Sequence, residues 1–213
     1  MKPDWLVRRS LALLAASWLL LGRRAPALAV YGRLLDRWPD DAEARAGRAH
    51  LLAQLGRCDE AIADAQVLVD QHPQRHADDW FNLAYLLEAV GALERAEPAF
   101  ERCLALNPAH DRAWYGLGLL LLRQRRLDEA AAALRQSTVL QPMGPHAWVQ
   151  LARIHMQRDE GEAARHVIEH LGGFEPAVAA GLARELGVQP RAASVQTQVH
   201  GAPGLAESGP AAR

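Results

Sequence analysis

The spacing of two histidines is the first feature of the sequence that could support chemistry. His166 and His170 lie four residues apart in a predicted helix, with Glu162 one turn earlier, so the three side chains share one face. Imidazole and carboxylate groups at such a spacing can bind zinc. The pattern lacks the inner glutamate of the H-E-x-x-H zinc motif, and a solvated helix face is the better interpretation. We therefore expect no metal site.

The sequence also lacks the motifs of nucleophilic catalysis and of phosphate binding. Serine, histidine and aspartate occur without a G-x-S-x-G elbow, and the glycines form neither a G-x-G-x-x-G run nor a P-loop. Cys58 and Cys103 are 45 residues apart, outside any C-x-x-C spacing, and are expected to be small buried apolar groups. We expect a protein that is not an enzyme and that takes no cofactor and no small-molecule substrate.

Composition and charge narrow the class of partner. The chain has 213 residues, of which 50% are hydrophobic, enough for a packed interior. Its 24 basic and 25 acidic residues leave a formal net charge of -1. No overall field attracts nucleic acid or an anionic membrane, so neither is an expected partner.

A set of landmark residues recurs every 34 residues through the middle of the chain. A fixed period of this length indicates a solenoid, in which each unit packs only on its neighbours. The three copies are Trp80, Leu83, Ala84, Leu87, Ala96, Phe100 and Pro108; Trp114, Leu117, Gly118, Leu121, Ala130, Leu134 and Pro142; and Trp148, Leu151, Ala152, His155, Ala164, Ile168 and Pro176.

This pattern resembles the tetratricopeptide repeat, with its spaced Trp, Leu-Gly, Tyr, Ala, Phe and Pro. The resemblance implies an all-α, right-handed solenoid of about five helix-turn-helix repeats with a C-terminal capping helix. We place the repeats at about 8–41, 42–76, 77–110, 111–144 and 145–178 and the capping helix at 177–187, in one domain over 1–187. Residues 188–213 are rich in Gly, Pro, Ala, Ser and Gln, and we expect them to be disordered.

The second repeat departs from the pattern at two landmark positions. In the third repeat, Leu83 and Leu87 form one apolar stripe of the first helix, and Phe100 lies on the stripe of the second helix that faces it. In the second repeat, Arg45 and Arg48 stand where Trp and Leu are expected. The second repeat is therefore the weakest match to the family pattern.

Residues 1–29 have two interpretations. Basic residues precede an uncharged run over 10–22, and an Ala-Leu-Ala sequence at 27–29 imitates a cleavage site, which is the pattern of a secretory signal. Arg23 and Arg24 interrupt that pattern, and the repeat register continues through the segment, so we favour a first helix pair over residues 10–38.

A membrane span is not expected there. The 13 uncharged residues would form a helix about 20 Å long, shorter than the ~30 Å hydrocarbon core of a bilayer. We expect a cytoplasmic protein for which a membrane is not a partner. The alternative is a periplasmic or membrane-associated protein, if residues 1–29 act as a signal or an anchor.

The resemblance also assigns a binding surface to the face of each first helix that lies opposite the landmark stripe. In the family, this face lines a concave groove that receives a peptide or a helix of a partner protein. Aromatic and arginine side chains are enriched in such interfaces. The predicted partner-binding residues are His50, Phe81, Asn82, Tyr85, Arg112, Tyr115, Arg123, Gln150 and Arg153; the same face carries Gln54, Asp78, Glu88, Leu119, His146 and Met156.

The two ends of the predicted groove are expected to differ in charge. Phe81, Tyr85 and Tyr115 would supply apolar contact at its middle, or would merely fill the space between adjacent first helices. Three of the predicted arginines, at 112, 123 and 153, would give its C-terminal half charge of one sign, with acidic residues at the other end. We therefore expect a partner that combines an apolar anchor with acidic residues or a free C-terminus.

One subgroup of the family clamps the terminal carboxylate of heat-shock chaperones with Lys, Asn and Arg side chains from three repeats. Asn82 matches the middle position of that clamp, and Arg112 partly matches its third repeat. Ala46 and His50 replace the Lys-Asn pair, and Gly116 replaces the last arginine. We do not expect binding of chaperone tails.

The function that the resemblance implies is protein–protein interaction, with the chain as a scaffold or adaptor that holds a segment of a partner in its groove. Two alternatives come from other classes of protein. One is an envelope-associated assembly factor that is exported or tethered through residues 1–29. The other is an accessory subunit of an enzyme encoded elsewhere.

Overall fold

The computed structural model describes residues 3–189, and the disorder predicted for residues 190–213 lies outside the described residues. The described part contains eleven helices and no strand, which confirms the all-α prediction. The helices are α1 Asp4–Leu20, α2 Arg24–Arg37, α3 Ala42–Gln54, α4 Cys58–Gln71, α5 Ala77–Ala89, α6 Leu93–Leu106, α7 Asp111–Arg123, α8 Leu127–Leu140, α9 Pro145–Gln157, α10 Gly161–Gly172 and α11 Pro176–Leu186.

The helices stack as a solenoid. Each packs mainly on the helices before and after it in the chain, and α11 packs on both α9 and α10. One apolar core runs from Ala49 on α3 to Ile154 on α9, and smaller clusters lie under α1–α2 and under α11. A helix pair alone would leave its faces in water, so the stacking is what buries them.

The turn inside each repeat depends on one residue with left-handed backbone. Gly22, Gly56 and Gly91 have φ of 67°, 73° and 80° at this place in the first three repeats. Arg125 and Asp159 take the same conformation in the last two repeats, with φ of 63° and 59°. Glycine adopts this conformation without steric cost, whereas a residue with a Cβ is strained there.

The landmark tryptophans join each first helix to the loop that precedes it. The indole nitrogens of Trp80, Trp114 and Trp148 donate hydrogen bonds to the carbonyl oxygens of Pro73, Pro108 and Pro142, over 3.0, 2.8 and 2.9 Å. In the second repeat, Arg45 donates from its guanidinium to the carbonyl oxygen of Pro39. The arginine therefore replaces the tryptophan as a donor, although it does not replace its apolar surface.

The interior of the second repeat contains an ionic cluster beside its apolar core. Asp64 on α4 is 5% exposed and accepts two hydrogen bonds of 2.6 Å from the guanidinium of Arg48. Arg45 is 9% exposed, and its guanidinium lies 3.4 Å from the same carboxylate. The hydrogen bond to Asp64 raises the pKa of Arg48 above its ordinary value. Two arginines that sequence reasoning treats as a poor match thus share one buried carboxylate.

The first helix pair is joined to the second repeat through Asp41. The guanidinium of Arg8 on α1 donates to this carboxylate over 2.6 Å, and the same side chain accepts from the backbone amide of Ala44 over 3.1 Å. Asp41 therefore caps α3 and holds α1 at once. No helix in the described residues is long and apolar enough to cross a membrane.

The C-terminal end is closed by α11 and the two residues that follow Gly187. The amide of Val188 donates to the carbonyl oxygen of Ala183 over 2.9 Å, and Val188 is 8% exposed within an apolar cluster. The prediction that disorder begins at residue 188 is therefore wrong for this residue, because its side chain is buried against α10 and α11.

Candidate partner-binding groove

The inner face of the solenoid is built from equivalent positions of successive first helices. One such position holds Ala46, Phe81, Tyr115 and Val149 in the second to fifth repeats. A large side chain here fills the gap between neighbouring first helices. In the second repeat this position holds only a methyl group.

A cavity of about 310 Å³ lies at that place. Its α3 wall consists of small side chains, Ala46, Ala49 and Ala53, and Phe81 and Leu86 on α5 close the opposite side. The lining is mostly apolar, and the cavity opens into the groove. Pockets of this size and lining are where protein surfaces accept an apolar group.

The structure buries Phe81, which sequence reasoning had offered as an exposed contact. Its ring is 5% exposed and lies 6.1 Å from the ring of Phe100 and 4.9 Å from that of His110. The guanidinium of Arg112 covers it at 4.5 Å. Phe81 therefore fills space between adjacent helices, the second of the two roles considered for it, and forms part of the cavity wall.

Tyr85 lies at the mouth of the cavity and is 57% exposed. Its ring stacks on Phe81 at a centroid distance of 6.3 Å. Asn82, one turn earlier on α5, is exposed beside it. Across the mouth, the amide of Gln54 and the ring of His50 are joined by a hydrogen bond of 2.7 Å. An exposed aromatic ring and three polar side chains thus surround an apolar opening.

The arginines of the groove are not equivalent. Arg123 donates to the carboxylate of Glu88 over 2.6 Å, and Arg153 forms two bonds of 2.9 and 3.0 Å with Glu185. The expectation that the C-terminal half carries unopposed positive charge is therefore wrong for these two, because neighbouring helices supply their carboxylates. Arg112 has its aromatic contact and no ion pair within the described residues.

Tyr115 and Gln150 lie further along the groove and are half-buried. Tyr115 lies 6.2 Å from the ring of His146 and lines a small cavity of about 150 Å³ between α7 and α9. Asp78, expected at the acidic end, accepts from the ring of His110 over 3.0 Å. The structure thus brings five predicted residues together at one cavity, and the other four do not line it: the five are His50, Phe81, Asn82, Tyr85 and Arg112, and the four are Tyr115, Arg123, Gln150 and Arg153.

The residues considered for metal binding are not brought together. The side chain of His166 is 86% exposed, whereas the ring of His170 lies 4.4 Å from that of Trp148. No group of three or more metal-binding side chains occurs among the residues that the structure describes.

Burial raises the pKa of the Cys103 thiol to about 12, with a smaller contribution from the charge of Asp78.

Sequence similarity agrees with this architecture. A family model described as tetratricopeptide repeat matches residues 14–76 and 81–145, which is more than half of the chain. The chain is a tetratricopeptide repeat protein. The resemblance noted from the landmark residues is thereby confirmed, and the family is one of protein-interaction repeats. No curated protein sequence is significantly similar to the chain.

Solved structures share the fold of this tetratricopeptide repeat protein. A structure of MamA from Desulfovibrio magneticus RS-1 has a TM-score of 0.73 and 20% identity, with 80% of this chain and 96% of that one covered. YrrB, described as a protein with an unusual peptide-binding site, has a TM-score of 0.71 and 20% identity, with 80% and 88% covered. TTC0263 from Thermus thermophilus has a TM-score of 0.56 and 21% identity, with 84% and 97% covered. At these identities the likeness supports the fold alone.

Ala46 is the residue of the groove that sequence reasoning missed. In the family pattern, Ala46 appears only as a departure from the chaperone clamp. Aligning the repeats by their period would have shown an alanine where Phe81 and Tyr115 stand. A small residue at a position that holds a large residue in other repeats indicates a gap between two helices.

Proposed function

We propose that this tetratricopeptide repeat protein is an adaptor that binds a segment of a partner protein in its concave groove, with an apolar anchor of the partner seated in the cavity beside Ala46. The observation that carries the proposal is the cavity itself, which lies where the equivalent side chain of the next repeat would be. A partner side chain there would replace the missing contact between α3 and α5.

The mouth of the cavity favours a peptide or helix over a small ligand. Tyr85 offers an exposed ring for further apolar contact, and Asn82 offers an amide that can donate to and accept from a peptide backbone. The neighbouring His50–Gln54 pair adds a second polar edge. YrrB is described as having a peptide-binding site, which is consistent with this use of the fold.

Arg112 sets the charge preference of the proposed partner. It is exposed at the cavity and, unlike Arg123 and Arg153, carries no ion pair within the described residues. A carboxylate of the partner, from an acidic residue or a free C-terminus, would form an ion pair with Arg112. The proposed ligand is therefore a large apolar side chain followed within a few residues by one carboxylate.

The test is selection from a random peptide library that includes free C-termini, with the purified protein as bait. Selected peptides should share a large apolar residue and a carboxylate. Tyr85→Ala should weaken their binding by roughly 1–3 kcal/mol, because an exposed aromatic ring is a typical anchor. Arg112→Gln should weaken it mainly at low salt, since exposed charges are screened at high salt.

Two exposed residues outside the groove supply matched controls. Val139→Ala and Arg135→Gln, on α8, remove an exposed apolar group and an exposed charge that lie away from the groove. Circular dichroism of each variant checks the fold. Peptides that bind Tyr85→Ala and Arg112→Gln as tightly as the two controls would show that the groove is not the site.

A further inference from the structure

The outer face of α1 has no neighbour in the described part of the chain. The position that faces the preceding repeat is buried in the other first helices, where it holds Leu51, Leu86, Leu120 and Ile154. In α1 the same position holds Ser17, which is exposed. Among the described residues, α1 is therefore the first helix of the stack, and one of its sides is exposed to solvent.

That side of α1 is an apolar band, which we define as Leu6, Leu13, Leu14, Leu20 and Leu21. Three of them are spaced by seven residues and lie on one line of the helix, and the other two lie beside that line. Their exposed fractions, in chain order, are 37%, 60%, 39%, 89% and 70%. A terminal repeat normally turns a polar face outward, so this end is unusual for a solenoid.

The two serines within the apolar band do not make it polar. The hydroxyl of Ser10 donates to the carbonyl oxygen of Leu6 over 2.7 Å, and that of Ser17 donates to the carbonyl oxygen of Leu13 over 2.8 Å. Both donor hydrogens are thus used within the helix itself. Trp5, which is 62% exposed, lies on another side of the helix, where it lines a cavity with residues of α2 and α3, and it is not part of the band.

Basic residues surround the apolar band. Residues 3–38 carry six arginines and two aspartates, whereas residues 39–189 carry 15 arginines and 22 acidic residues. Arg9 lies beside the band between Leu6 and Leu13, and Arg23 and Arg24 follow its C-terminal end; all three are exposed and form no ion pair within the described residues. The first helix pair is therefore positive on a protein whose remaining described part is negative.

We propose that the apolar band of α1 binds the surface of a membrane that contains anionic lipids. Exposed leucines on one face, with arginines beside it and after it, are the pattern of a helix that lies in the lipid–water interface. Arginines beside the band would contact anionic head groups. Because the opposite face of α1 packs on α2, the proposed contact is with the surface of the bilayer. It departs from the expectation, drawn from the net charge, that a membrane is not a partner.

Charge decides between lipid and a partner helix as the occupant. A second helix could also cover a line of leucines spaced by seven residues. The unpaired arginines beside the band and after it instead favour an occupant that offers negative charge at several places, which an anionic bilayer supplies as a continuous surface. This site lies outside the concave cavity, so the test below does not depend on the proposed groove function.

The test is co-sedimentation of the whole protein with lipid vesicles. One set contains phosphatidylcholine alone. The other also contains about 30% phosphatidylglycerol, which gives a negative surface charge like that of the cytoplasmic face of a membrane. The wild type should bind the anionic vesicles at least roughly tenfold better, and added salt should reduce the binding. Equal binding to both vesicles, or binding to neither, would overturn the proposal.

Paired variants separate the two contributions. Leu13→Ser with Leu20→Ser should abolish most vesicle binding, and Arg23→Gln with Arg24→Gln should reduce it roughly tenfold. Val139→Ser and Arg135→Gln, exposed on α8, are the controls and should bind like the wild type. Circular dichroism verifies the fold of each variant. Unchanged vesicle binding by the variant that carries both leucine changes would contradict the lipid assignment. Dimerisation through α1 without vesicle binding would also contradict it.

Discussion

The second and third repeats share one fold but differ in both their interior and their groove face. The third repeat packs Leu83 against Phe100 and fills its groove position with Phe81. The second repeat has Arg48 paired with the buried Asp64 inside, and Ala46 at the groove. The groove position of the third repeat is thus filled, whereas the second repeat has an open groove position and an ionic cluster within its otherwise apolar interior.

This difference separates two requirements that a repeat must meet. Stacking on neighbours needs a buried, satisfied interior, which either leucines or a hydrogen-bonded ion cluster can supply. Binding a partner needs an unfilled position at the surface. The second repeat retains its place in the stack while leaving the cavity open, because its ionic interior lies on the other side of α3 from Ala46.

The largest expected effect comes from breaking the ionic interior. Asp64→Ala would leave Arg45 buried without its carboxylate, and loss of one partner of a buried pair costs about 3–5 kcal/mol. Unfolding in urea, followed by circular dichroism, measures the change. The matched variant replaces Arg45, Arg48 and Asp64 by Trp, Leu and Ala, the residues of the third repeat.

That triple variant should fold and should be as stable as the wild type or more stable, because apolar packing often equals a buried ion pair. Two results would contradict this comparison. One is a change of less than about 1 kcal/mol for Asp64→Ala, which would mean that water already reaches the cluster. The other is a triple variant that fails to fold.

A smaller effect should distinguish two close contacts between helices. A Cβ at Gly116 would lie 2.7 Å from the ring of Phe100, and a Cβ at Gly47 would lie 2.7 Å from the ring of Tyr31. Phe100 is 1% exposed and cannot move away, so Gly116→Ala should destabilise by about 1–3 kcal/mol.

Tyr31 is only half-buried, and its ring can turn towards the surface. Gly47→Ala should therefore be close to neutral, because the gain in helix propensity of up to about 1 kcal/mol offsets the displacement of the ring. Urea midpoints of the two variants give the comparison. Equal destabilisation by both would show that the contact between the first and second repeats is packed as tightly as the contact between the third and fourth.

The smallest effect concerns the helix caps of the two repeats. Asp41 caps α3 with its carboxylate, whereas His76 at the start of α5 makes no such bond. Asp41→Ala should cost about 1–2 kcal/mol, because it removes both the cap and the ion pair with Arg8, and His76→Ala should cost almost nothing. Thermal unfolding of both variants at neutral pH measures the difference, and similar midpoints for the two would contradict it.

The same carboxylate gives a pH dependence with a defined sign. Burial alone would raise the pKa of Asp41, but hydrogen bonds from Arg8 and from the amide of Ala44 outweigh it, so its pKa is lowered. Its stabilising contribution is therefore complete above the unfolded pKa of about 4 and is lost as the pH falls through the lower folded value. In Asp41→Ala this part of the acid sensitivity should disappear.

Much of the fold could be predicted because the repeat period fixes which residues face each other. The positions of Trp80, Trp114 and Trp148 indicated the first helices, and Pro39 and Pro73 indicated where second helices end. These are local signals, since proline interrupts a helix wherever it occurs. They do not depend on which side chain lies opposite.

The charges of the groove could not be predicted from one helix at a time. Arg123 and Glu88 are 35 residues apart, about one repeat period, and therefore lie side by side on neighbouring helices. Arg153 and Glu185 are 32 residues apart and meet in the same way. The sequence does contain these opposite charges about one period apart, but the pairing is seen only when the repeats are compared with each other.

The most direct test of the proposed binding site is to fill the cavity with the side chain of the next repeat. Ala46→Phe places a ring where Phe81 and Tyr115 stand in later repeats. Binding of a peptide selected by the wild type is measured by fluorescence anisotropy, with Ala63→Phe, on the exposed face of α4, as the control. We predict that Ala46→Phe keeps its helicity and loses at least roughly tenfold in affinity, a typical anchor effect, whereas the control binds normally. Equal affinity of Ala46→Phe and the wild type would contradict the proposed site.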